Sequence, residues 1–89
     1  MKTFLLGQIT ATPGAIQELE KASIHPLILI DRHSRLDPGC LDAEDQARNN
    51  QSVQDGSRIF SAYEYNGVKF WVITEAGRHA TTILLPDEY

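Results

Sequence analysis

The segment Arg58–Pro86, RIFSAYEYNGVKFWVITEAGRHATTILLP, decides the fold, because it places Asn66-Gly67 between two runs of alternating side chains. A two-residue type I′ turn needs positive φ at both central positions, and Asn-Gly is the dipeptide that supplies it most readily. The turn therefore sets the register. Tyr65 faces Val68, Glu64 faces Lys69, Tyr63 faces Phe70, Ala62 faces Trp71, Phe60 faces Ile73 and Arg58 faces Glu75. Two opposite-charge pairs result, and a one-residue slip would lose both and reverse the face of every side chain. After a turn at Ala76-Gly77-Arg78-His79, the run ATTILLP returns antiparallel, with Thr81 opposite Thr74, Ile83 opposite Val72 and Leu85 opposite Phe70.

This register sorts the sheet into two faces. Ile59, Tyr63, Tyr65, Val68, Phe70, Val72, Ile83 and Leu85 form an apolar face on which helices are expected to pack, with Ser61 pointing the same way. The other face carries Phe60, Trp71, Ile73 and Leu84 in its middle, Arg58, Glu75 and Thr82 at one end, and Glu64 and Lys69 at the other. Exposed aromatic area beside polar groups at one end marks a surface that something covers or binds. The plain alternative is that the N-terminal strand and helix, or a second subunit, lie over Trp71, leaving Arg58 and Glu75 as a rim ion pair.

Outward from the hairpin, residues 3–10 are an apolar run that reads as a strand. ATPGAIQELEKAS then opens a helix, with Thr12 as N-cap, Pro13 at the first helical position, and Ala15, Ile16, Leu19 and Ala22 as a narrow stripe. Around Pro26, IHPLILIDRHS fits helix or buried strand by period alone. Helix is preferred, with Ile24, Leu27, Ile28 and Ile30 covering the sheet and Asp37-Pro38-Gly39 as its stop. LDAEDQARNNQSVQDG reads as a third helix ended by Gly56. It lies loosely on the surface, with Arg48, Asn49, Asn50 and Gln51 solvated. The expectation is a single α+β domain over residues 1–89: an N-terminal strand, two to three helices, and a C-terminal three-stranded antiparallel meander.

At 89 residues, 42% hydrophobic and 22% charged, the chain has ordinary globular composition. A net charge of −4, from 12 acidic and 8 basic residues, argues against a surface that attracts nucleic acid as a whole. Cys40 is the only cysteine, which fits a reducing, cytoplasmic setting. Gly7 and Gln8 interrupt the first apolar run too early for a signal peptide or membrane span. His25, His33, His79 and Cys40 have no metal-ligand spacing, and no glycine-rich phosphate loop is present, so neither metal nor cofactor is expected. One enzyme class stays open. Metal-free RNA cleavage needs a base, a cation and an acid, and His33 as base or acid, Arg58 and Arg78 on the phosphate, and Thr82 as a positioning group are of the right types. Trp71 or Phe60 would then stack a base.

ATPGAIQELEKA, DRH, AEDQARNN and the tail resemble a family of small uncharacterised proteins encoded on bacterial plasmids and other mobile elements, over nearly the whole chain. Its most specific pattern matches Ser61-Ala62-Tyr63, Trp71 to Glu75, Arg78, Thr81-Thr82 and Pro86 to Tyr89. The chain departs from it at Arg35-Leu36-Asp37-Pro38-Gly39, where the family has glycine-aspartate-tryptophan-glycine, and at Gly77, where it has aspartate. The resemblance implies no defined activity. The outline is also architecturally similar to barnase-like and RelE-like ribonuclease toxins. Three functions follow in order: a non-catalytic module meeting a protein partner or itself through Phe60, Trp71, Ile73, Glu75 and Leu84; a metal-independent ribonuclease acting on RNA; and an acidic inhibitor of DNA-acting host enzymes.

Overall fold

The computed structural model describes residues 4–89. Its elements are β1 (Gln8–Ala11), α1 (Pro13–Ala22), α2 (Pro26–Ser34), α3 (Ala43–Asp55), β2 (Ile59–Tyr65), β3 (Val68–Thr74), β4 (Ala80–Leu84) and a 3-10 turn, Pro86–Glu88. The class is α+β. The strands form one mixed sheet in the order β1-β4-β3-β2, the meander being antiparallel and β1 joining β4 in parallel.

Asn66 and Gly67 have φ of 54° and 76°, as the turn requires. The ladder pairs Tyr65 with Val68, Glu64 with Lys69, Tyr63 with Phe70, Ala62 with Trp71 and Phe60 with Ile73. Thr74 meets Thr81 and Val72 meets Ile83. The ladders stop short of both expected ends. Arg58 and Glu75 lie just beyond the Ile59–Thr74 pair, and Leu85 lies just past β4.

Thr12 caps α1 by accepting from the Ala15 amide, and Pro13 follows at the first helical position. Ala15 and Leu19 of α1 and Leu29 and Ile30 of α2 join Tyr63, Phe70, Val72 and Ile83 in the core. The region after Pro26 is a helix, but its phase differs from the expected one. Leu29, Ile30, His33 and Ser34 are buried, whereas Leu27 and Ile28 are 56% and 45% exposed. Ile16 is likewise half exposed. Spacings of three and four residues from Leu29 and Ile30 lead directly to His33 and Ser34, so the polar pair rides inward with the apolar one.

Two further expectations are corrected. The N-terminal strand begins at Gln8 because Gly7 adopts φ of 67° and breaks the extended run, while Leu6 ahead of it enters the core; Thr3 lies outside the described residues. The third helix is held firmly. Asn49 is buried, accepting from the Phe60 amide (3.1 Å) and donating to the Phe60 carbonyl (2.6 Å). Its carboxamide stands in for a peptide unit of a neighbouring strand, so a helix with little apolar surface still closes the edge of β2.

Candidate functional site

The polar groups of the sheet separate into two places. On the helix side, His33 has no exposed surface and bridges α2 to the sheet. Its Nδ1 is 2.7 Å from Ser61 Oγ and its Nε2 is 2.8 Å from Thr74 Oγ1. Thr74 is 2.7 Å from Thr81 Oγ1, and the Thr81 hydroxyl donates to the Leu6 carbonyl at 2.6 Å. Because each hydroxyl has one proton, three directions are fixed: Thr81 donates to Leu6, Thr74 donates to Thr81, and Nε2–H donates to Thr74. Burial pushes the His33 pKa down to about 4, so the ring is a neutral strut near pH 7 and Nδ1 accepts from Ser61. Phe4 packs edge-on against the ring at 5.4 Å.

The four residues expected to cleave RNA are not brought together. His33 is enclosed on the helix side, whereas Thr82 alternates to the other face, where its hydroxyl pairs with Thr10 at 2.8 Å. Arg78 is a structural clamp. Its guanidinium donates to the carbonyls of Ser57 (2.7 Å), Ser52 (2.8 Å) and Glu75 (3.3 Å), closing the C-terminal end of α3, and it sits over Phe4. Arg58 forms no ion pair with Glu75. Its guanidinium donates to the Tyr89 hydroxyl and lies 5.5 Å from that ring's centroid.

Arg58 belongs instead to a cleft on the Trp71 face. Phe60 and Trp71 meet edge-to-face at 5.1 Å, and Tyr89 meets Trp71 in the same manner at 5.7 Å. Ile73 completes the floor, while Asp45 and Arg48 of α3 form the opposite wall of a cavity of about 270 Å³. Neither β1 nor α1 lies over Trp71: β1 sits beyond β4, and α1 packs into the core on the other face. Ile73 and Leu84 are 3% and 6% exposed, so this chain already covers most of their surface, and Glu75 is exposed outside the cavity. Phe60 and Trp71 are half-buried, and Tyr89 is 70% exposed.

The charge arrangement within the cleft is uneven. Arg48 pairs with Glu44 (3.2 Å) and Asp45 (3.6 Å), but Arg58 makes no ion pair among the described residues. Tyr89 is carried there by the 3-10 turn. Glu88 pins that turn by accepting from the Thr12 hydroxyl and the Leu85 amide, contacts that hold its carboxyl below the usual range. Sequence reasoning missed Tyr89, Arg48 and Asp45. Tyr89 follows the break at Pro86, and nothing in α3 signals which of its polar residues turn toward the sheet.

Among the described residues, no set of three His, Cys, Asp or Glu side chains is grouped to hold a metal ion, and no helix is long and apolar enough to cross a membrane. Comparison with protein-family models, curated proteins and solved structures finds no match to the chain.

Proposed function

We propose that this is a small cytoplasmic protein of a mobile element that works by binding rather than catalysis, and that the Trp71 cleft receives a segment of a protein partner. The observation carrying this reading is Arg58, a guanidinium without a carboxylate partner among the described residues, at the lip of an aromatic floor. The matching ligand is an aromatic or aliphatic side chain with a carboxylate beside it. Burying such a side chain contributes about 1.5–3 kcal/mol, and a charge-assisted hydrogen bond to Arg58 about 1.5–3 kcal/mol. The cleft offers RNA cleavage no base–acid pair: Asp45 is the only side-chain carboxylate lining it among the described residues and is paired with Arg48, while His33 lies across the sheet with both nitrogens engaged.

Peptides selected from a displayed random library provide the test, because Trp71 is the only tryptophan and reports directly on the cleft. Selected peptides are expected to share an acid next to an apolar residue and to change Trp71 emission saturably. Arg58→Ala is expected to weaken them about tenfold, or about 1.4 kcal/mol, while Lys69→Ala leaves them unchanged. Binding that ignores Arg58→Ala, or hydrolysis of mixed RNA by the pure protein in chelator, would overturn the reading.

A further inference from the structure

The two edges of the sheet are finished differently. Along β2, Asn49 occupies the outward N–H and C=O of Phe60, and the Cys40 amide donates to the Ala62 carbonyl at 2.8 Å, with Gly39 bridged alongside. Along β1, no described residue does the same. Gln8 donates to the His79 carbonyl (2.9 Å) and Thr12 to the Ile83 carbonyl (3.0 Å), so the even-numbered residues of β1 face β4. The period of two turns the N–H and C=O of Ile9 and Ala11 to the open side. Ile9 is 44% exposed and nearby Leu5 is 75% exposed. The strand itself, Gln8-Ile9-Thr10-Ala11, contains neither the proline nor the charge that commonly blunts an edge.

We propose that β1 is a dimerisation edge, to which β1 of a second copy adds antiparallel about a two-fold axis at Thr10, fusing the two sheets into one. Ile9 and the second copy's Ala11 then form a hydrogen-bonded pair that exchanges both backbone bonds, and the symmetric pair does the same. Thr10 faces its own equivalent across the axis, a favourable cross-strand pair, and Ile9 meets a small alanine rather than another large side chain. The open backbone groups require an extended strand as occupant. A second copy fits because its own β1 has the same unmet groups and because an uncharged edge lets two chains of net charge −4 meet without like charges opposed. The two-fold contact closes on itself, leaving the blocked β2 edges outermost.

Light scattering of the full chain from micromolar to millimolar concentration tests this. The apparent mass is expected to double as concentration rises. Ile9→Pro is expected to stay monomeric throughout, since it removes an outward N–H while the donors to β4 come from even-numbered residues. Ile9→Lys sets like charges near the axis and is expected to act the same way, which covers the case in which proline disturbs folding. Amide exchange adds a second readout: Ile9 and Ala11 are protected at high concentration and exchange faster on dilution. Wild type monomeric across the whole range, or a dimer that survives both substitutions, overturns the proposal. Arg58→Ala leaves the dimer intact, so the result is independent of the Trp71 cleft.

Discussion

Replacing His33 with alanine is expected to cost about 3–5 kcal/mol, the range for emptying a buried aromatic-sized site, and to leave the hydroxyls of Ser61 and Thr74 without their shared partner. Urea unfolding followed by circular dichroism measures it; a loss below about 1 kcal/mol, the typical effect of an ordinary substitution, contradicts the strut. The same histidine predicts a pH dependence. Its folded pKa is lowered from 6.5 to about 4, so the unfolded chain takes up its proton first as the pH falls. Stability is fully present above about pH 6.5 and declines through about pH 4, by about 3 kcal/mol from this group. In His33→Gln, which keeps a neutral polar side chain, that part of the decline is expected to vanish. An unchanged pH profile would mean that His33 is not held neutral.

The second large effect is expected at Gly39. This residue has φ of 55° and bridges to Ala62, and a Cβ built on it would overlap the Ala62 carbonyl oxygen and the Tyr63 ring. The obstruction is a strand backbone and a fully buried aromatic, neither able to swing aside. Gly39→Ala is therefore expected to destabilise by about 2–4 kcal/mol, combining the positive-φ penalty with overpacking. Gly67→Ala is the informative comparison, because Gly67 also has positive φ (76°) but open space around it. It should lose only the conformational part. Equal losses at the two sites, measured by the same urea titration, would refute the steric account of Gly39.

The difference between these sites explains which parts of the fold were legible. Asn66-Gly67 is a local signal, and one dipeptide with alternating neighbours was enough to register β2 on β3. Thr12-Pro13 marked a helix start equally locally. What escaped was long-range or polar. The parallel docking of β1 on β4 joins residues more than seventy positions apart, with no turn between them to announce it. Asn49 was read as solvated because a helix face is sought through its apolar residues, whereas α3 is anchored by an amide matched to a strand edge. His33 was legible in spacing: its position after Leu29 and Ile30 puts it in the core, where its ring bridges α2 to the sheet. On the Trp71 face the hairpin register alone groups Phe60, Trp71 and Ile73. The walls came from α3 and from a tyrosine beyond the final strand.

The measurement that bears most directly on the central claim is a map of amide and indole NMR shifts as a selected acidic, aromatic peptide is added. The account predicts saturable shifts at the Trp71 indole, Phe60, Arg58, Arg48 and Tyr89, with the amides around His33, Ser61 and Thr74 unmoved. Shifts centred on His33 and its hydroxyl partners, with the Trp71 indole unmoved, would contradict it.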